Sequence, residues 1–170
     1  GESCRVKLAS RSHERAAGVC ETLSSGLDSA QLEPVAASDT DNCLAAAAGV
    51  DILVAAGAAG VCLLPEGSLA TIDGLRIAID LNAVPPAGLA DVQATEKAAD
   101  HDGIICYGAL GVGGTKMKIH KQAIRQLFES NDRVFDTDAI YRLALEVTGL
   151  APCTPRGFSQ HALAMIQIVQ

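Results

Sequence analysis

Apolar positions along the chain fall into short runs, separated by longer stretches in which they recur every three or four residues. The runs at 5–9, 33–37, 52–56, 75–79 and 104–107 read as strands. The run at 52–56 is unbroken, as expected of a parallel strand covered on both faces, and 75–79 and 104–107 are read the same way. The recurring stretches at 12–25, 39–48, 112–129 and 137–148 read as helices. Ser12, Ser38 and Asp136 are candidate N-caps, and Gly26 is a candidate stop. Pro152, Pro155 and Gly157 mark a loop after Gly149, and 158–169 is expected to form a terminal helix. Residues 44–64 have the length of a bilayer crossing with Asp51 as their only charge. Their Ala and Gly content is weakly apolar, however, and Gly49 and Gly57 break the stretch into helix, turn, buried strand and loop, so no membrane association is expected. Alternating strands and helices predict an α/β fold, a doubly wound and mainly parallel sheet.

Composition narrows this picture. The 170 residues are about one domain's length, and 49% are hydrophobic while only 3% are aromatic. The core is therefore built from Ala, Val, Leu and Ile, which lets helices lie close on a sheet. Thirteen Lys and Arg against 20 Asp and Glu leave a net charge of -7, which disfavours a nucleic-acid partner. Mean hydropathy of +0.25 with 19% charged residues excludes disorder. The six cysteines show no C-x-x-C pair, so neither zinc nor a redox motif is expected. They read as reduced thiols of a cytoplasmic protein, and no signal peptide follows the first residues. His13, His101, His120 and His161 are isolated in sequence, so no metal is expected.

Ligands of such sheets bind outside the carboxyl ends of the strands. The first strand ends in Ser10-Arg11-Ser12, where an Arg beside a small hydroxyl suits the 2′-phosphate of NADP; the alternative is a surface Arg at a helix start. The run 52–56 leads into Ala55-Ala56-Gly57-Ala58-Ala59-Gly60, either a loop that lets backbone approach a ligand or a tight turn. The run 75–79 leads into Asp80-Leu81-Asn82-Ala83-Val84-Pro85-Pro86, either a polar lip at a cleft or Asx turns that stop the strand. Residues 107–120, Tyr-Gly-Ala-Leu-Gly-Val-Gly-Gly-Thr-Lys-Met-Lys-Ile-His, fit neither a P-loop nor a G-x-G-x-x-G. They leave a glycine-rich helix entry, with Gly111 and Gly113, whose amides can face an anion. Lys116, Lys118, Lys121 and Arg125 follow as a basic patch, either a solvated face or an anion site, while Met117, Ile124, Leu127 and Phe128 share another face.

Together, Val54-Ala55-Ala56-Gly57-Ala58-Ala59-Gly60-Val61, Asp80-Leu81-Asn82-Ala83-Val84-Pro85-Pro86, residues 107–120 and Leu127-Phe128-Glu129-Ser130 closely resemble the NAD(P)-dependent methylene-tetrahydromethanopterin dehydrogenases of methylotrophic bacteria, over residues 6–145. The resemblance implies a Rossmann-type cofactor domain beside a pterin-binding domain. It implies hydride transfer from methylene-tetrahydromethanopterin to NAD(P)+, giving the methenyl form in one-carbon oxidation. It implies that Ser10 and Arg11 read the adenosine phosphate and that Ala56, Gly57 and Ala58 pass the ribose and nicotinamide. Asp80 and Asn82 would then stand beside the reacting ring. Lys116 would be a cleft lysine that positions and supplies charge. NADP is the expected cofactor, with NAD as an alternative, and the expected partners are a small pterin substrate and further copies of the chain.

The chain departs from the family pattern in two places. It opens at what resembles the family's second strand, so residues 1–149 read as a cofactor domain lacking its first strand and glycine turn, and 150–170 as a poorly matched tail. A sheet incomplete on its N-terminal side, with an exposed edge at 6–8, is the resulting expectation; the isolated chain should then bind NADP+ weakly and be inactive. A methylene-tetrahydrofolate dehydrogenase and a non-catalytic Rossmann-like module are the alternative readings.

Overall fold

The computed structural model describes residues 5–24, 31–130, 132–150 and, as backbone, 162–166. Gly26 and the proline-rich loop after Gly149 lie outside the described residues. Two compact units result, Gly1–Gly111 with Pro155–Gln170, and Val112–Thr154.

The first unit holds a seven-stranded sheet. Its elements are β1 (Arg5–Ser10), α1 (His13–Ser24), β2 (Gln31–Ala36), α2 (Thr40–Ala47), β3 (Ile52–Ala55), β4 (Ile77–Asp80), β5 (Lys97–His101), β6 (Ile104–Tyr107) and β7 (Ala162–Ile166). The strand order is β2-β1-β7-β3-β4-β6-β5. All neighbours are parallel except β5 and β6. The core lies along β3 and β4, where Leu53, Ala55 and Ala78 pack with Ala46, Ala47 and Val50 of the α2 region and with Leu64, Leu89 and Cys106. The small residues of α2 are what allow this approach.

Local chemistry accounts for the helix starts. The Ser12 hydroxyl accepts from Arg15 N at 3.3 Å at the head of α1. For α2 the cap is Asp39 and not Ser38, because the Asp39 carboxylate accepts from Asn42 N at 2.9 Å. That hydrogen bond, reinforced by Ser38 and the Asn42 side chain, holds the Asp39 carboxyl below its usual range.

The strand β7 corrects two expectations. Residues 158–169 do not form a helix throughout, because 162–166 pair in parallel with β1 (Arg5↔Ala162 to Ala9↔Ile166) and with β3 (Ile52↔Leu163 to Ala55↔Ile166). The edge expected to be exposed on β1 is therefore covered. The first six strands of the order follow the 3-2-1-4-5-6 arrangement of dinucleotide-binding sheets, with β7 in the place of the first strand.

The pattern of apolar runs also missed β5. It forms a hairpin with β6 through Asp102-Gly103, whose φ values of 53° and 91° suit a two-residue turn of the Asp-Gly kind. Ala98, at φ 56°, is the extra residue of a bulge between Lys97 and Ala99. Left-handed backbone strains a residue with a Cβ, so Ala98→Gly is expected to stabilise the protein by about 0.5–1 kcal/mol. A higher urea midpoint would show this; an unchanged or lower one would mean that the Ala98 methyl contributes packing that outweighs the strain.

The second unit begins inside α3 (Ala109–Glu129) and contains α4 (Thr137–Thr148). Asp136 caps α4 through Ala139 N at 2.8 Å, and Gly149, at φ 69°, closes it through Leu145 O. Among the described residues no helix is long and apolar enough to cross a membrane.

Candidate functional site

Because β1, β7, β3, β4 and β6 run parallel, their carboxyl ends share one edge of the sheet. The chain runs outward from β1 to β2 and then from β3 through β4 to β6, so the order reverses around β7. A crevice at such a reversal is where open α/β sheets hold ligands.

Ser10 closes β1 and is 2% exposed; its carbonyl accepts from Ala37 N at 2.7 Å. Its hydroxyl oxygen is buried without a hydrogen-bond partner. Such a group is costly to leave unmet, and a ligand oxygen is one way to meet it. Arg11, next along the chain, is exposed.

Ala56, Gly57 and Ala58 leave β3 half-buried. They are tied to the end of β4, where Asn82 Nδ2 donates to Ala58 O at 3.2 Å. Asn82 Oδ1 accepts from Val84 N at 3.0 Å. Asp80, 1% exposed, accepts from Asn82 N through Oδ1 and from Leu89 N through Oδ2, both at 2.9 Å. The carbonyl of Gly88, whose Cα faces Asp80, accepts from Leu63 N and Leu64 N. The Asx-turn alternative is thus realised. Both side chains direct their polar atoms at backbone: Asp80 braces the segment after β4, and Asn82 ties it to the loop after β3.

α3 starts at Ala109, so Gly111, Gly113 and Gly114 lie within the helix and not in a loop before it. A Cβ on Gly108 would run into the Gln93 carbonyl, and one on Gly111 into the Glu96 carbonyl. These two glycines let the helix start press on residues 93–97, held by Gly108 N to Glu96 O at 3.0 Å and Leu110 N to Ala94 O at 2.8 Å. Gly113 has open space around it. Lys116, Lys118, Lys121 and Arg125 are exposed on α3 within the second unit, and Met117, Ile124, Leu127 and Phe128 are also exposed.

One grouping was missed by reading the chain linearly. His101 is not isolated: its Nε2 lies 3.1 Å from Glu96 Oε1, and both stand beside Cys106. His13 and His120 are exposed, and His161 lies outside the described residues. Burial, followed by the charges of Glu96, Asp91 and Asp100, pushes the Cys106 thiol up to about 11. Cys20, Cys43, Cys62 and Cys106 are free thiols.

No family model matches the chain. Two proteins of Methylorubrum extorquens are similar to it. The bifunctional protein MdtA is 35% identical over 148 residues, covering 86% of this chain and 50% of the relative. An NAD(P)-dependent methylenetetrahydromethanopterin dehydrogenase is 35% identical over 108 residues, covering 62% of this chain and 36% of the relative. The chain thus spans half or less of the relatives it matches.

Proposed function

The chain belongs to the NAD(P)-dependent methylenetetrahydromethanopterin dehydrogenase family of methylotrophic bacteria, whose members it matches over part of their length, and we propose that it serves as the cofactor-binding part of such an oxidoreductase. The reaction proposed is hydride transfer from the methylene bridge of methylene-tetrahydromethanopterin to NADP+, giving the methenyl form. NADP+, which Ser10, Arg11 and the loop of Ala56, Gly57 and Ala58 would hold, would supply the hydride acceptor.

The observation that carries this reading is the buried, unpartnered Ser10 hydroxyl at the reversal of a parallel sheet in dinucleotide-binding order. Ser10 would hold an oxygen of the adenosine 2′-phosphate, with Arg11 supplying charge from the adjacent surface. The loop of Ala56, Gly57 and Ala58, fixed by Asn82, offers small side chains past which a ribose and a flat ring can lie. Asp80 acts through Asn82, whose backbone N–H it accepts, as a positioning residue. The carbon that loses hydride lies between two nitrogens whose lone pairs stabilise the cation, so no side chain has to move a proton. Orientation and charge then carry the chemistry.

Formation of reduced cofactor from NADP+ or NAD+, with the methanopterin or the folate substrate, tests the reading on the full-length protein. Arg11→Ala is expected to weaken NADP+ by roughly ten- to a hundredfold and NAD+ far less. Equal loss for both cofactors would overturn the assignment of Ser10 and Arg11, and turnover only with the folate would overturn the substrate.

A further inference from the structure

We propose that Glu96, His101 and Cys106, on the β5–β6 hairpin and the residues leading into it, form a three-ligand site for a zinc-class divalent cation. The register of the hairpin brings these residues together. Cys106 lies opposite Ala99, and His101 opposite Ile104, so His101 and Cys106 stand on one face as diagonal neighbours, with Ala99 and Ile104 at the other two corners. In a regular strand Lys97 would share that face. The bulge at Ala98 breaks the alternation: Lys97 pairs with Tyr107 on the opposite face, and Glu96 takes the place beside His101 and Cys106. A bulge held by a non-glycine residue at positive φ is strained, and its effect here is to re-aim one carboxylate.

One imidazole nitrogen, one thiol sulfur and one carboxylate oxygen then lie within 4.8 Å of one another. That donor set, three protein ligands with an open fourth position, suits Zn2+, with bonds of about 2.0–2.3 Å. Closing to those lengths takes side-chain adjustment of about 1 Å, within rotamer reach. The second, independent observation is Glu96 Oε2. It is buried without any partner, although Oε1 of the same carboxylate is taken by His101. A buried carboxylate oxygen with no donor is a costly arrangement, and a cation satisfies it.

The surroundings favour a cation as well. Asp91 and Asp100 add negative potential at Cys106, and a thiolate with one carboxylate neutralises a dication. The Cys106 thiol donates weakly to Ile104 O at 3.8 Å, a contact that a cation would replace as the thiol proton leaves to solvent. His101 also lines a cavity of about 480 Å3 bounded by Leu69, Ile72, Asp91 and Ile104, which offers an ion an approach from solvent. This departs from the expectation of no metal, and it is independent of the hydride-transfer reading.

Titration of the chelator-treated full chain with Co2+ alone tests the proposal. The expected result is a thiolate-to-cobalt charge-transfer absorption, saturating at one ion per chain and bleached by Zn2+. His101 is partly exposed, so His101→Gln should fold normally and weaken Co2+ by at least roughly tenfold, as should the isosteric Glu96→Gln. Cys106→Ser should abolish the charge-transfer band while Cys62→Ser leaves it intact. No band in the wild-type chain, a band surviving Cys106→Ser, or unchanged affinity in both His101→Gln and Glu96→Gln would each overturn the site.

Discussion

Gly111→Ala is expected to lower the unfolding free energy by about 3 kcal/mol or more, and Gly108→Ala to do the same. Alanine normally improves a helix interior by up to about 1 kcal/mol over glycine, so the intrinsic effect at Gly111 has the opposite sign. Packing decides the matter. A methyl at Gly111 falls on the Glu96 carbonyl and one at Gly108 on the Gln93 carbonyl, both backbone atoms that cannot swing aside. Those carbonyls belong to the segment that hydrogen-bonds the helix start, so relief of the clash breaks the bonds as well. Gly114 provides the control, since a Cβ there meets nothing within 4 Å. Gly114→Ala should therefore stabilise where Gly111→Ala destabilises. Urea unfolding of the variants reads both signs, and a stabilising Gly111→Ala would show that the helix start stands off residues 93–97.

Asp80→Ala should cost about 2–5 kcal/mol, because two buried backbone N–H groups lose their acceptor and each unmet donor costs about 1–3 kcal/mol. Against a total stability of about 5–15 kcal/mol this is a large share. Asn82 N and Leu89 N are the groups stranded. Asp80→Asn keeps one acceptor and should lose about half as much. The same change unseats Asn82, whose side chain holds Ala58 in the loop after β3, so cofactor affinity should fall alongside stability. A loss below about 1 kcal/mol in Asp80→Ala would mean that water replaces the carboxylate and that the clamp is dispensable.

Where local chemistry decides, the chain is legible. The apolar runs at β3 and β6 have no alternative inside a 170-residue α/β chain, and Asp136 with Gly149 marks both ends of α4. The misreadings have physical causes. Ala162–Ile166 is five apolar residues with no period to separate helix from strand, and two waiting parallel neighbours decide it. Lys97–His101 has no β-branched residue and is a strand only because Asp102-Gly103 folds it back on β6. Ser38 and Asp39 both fit a cap by type, and only backbone geometry selects Asp39. The group of Glu96, His101 and Cys106 was hidden by Ala98: nothing in an alanine announces a left-handed backbone, and without that bulge the parity of the strand points to Lys97. At the strand ends the residue types drew notice, but sequence has no means of telling an Asp that faces a ligand from one that accepts from backbone amides.

The position of β7 also sets a timetable for the ribosome. This strand follows every other described strand in the chain yet lies between β1 and β3. While residues 162–166 are still untranslated or inside the exit tunnel, the β2–β1 pair and the β3–β4–β6–β5 group share no ladder. Each half then presents an open parallel edge, and closing the gap requires a contact between Arg5 and Ala162, a pairing of long sequence separation and hence slow formation. Among the described strands, two half-sheets thus await one, and until it arrives β1 and β3 are open to pairing with other chains or to capture by a chaperone.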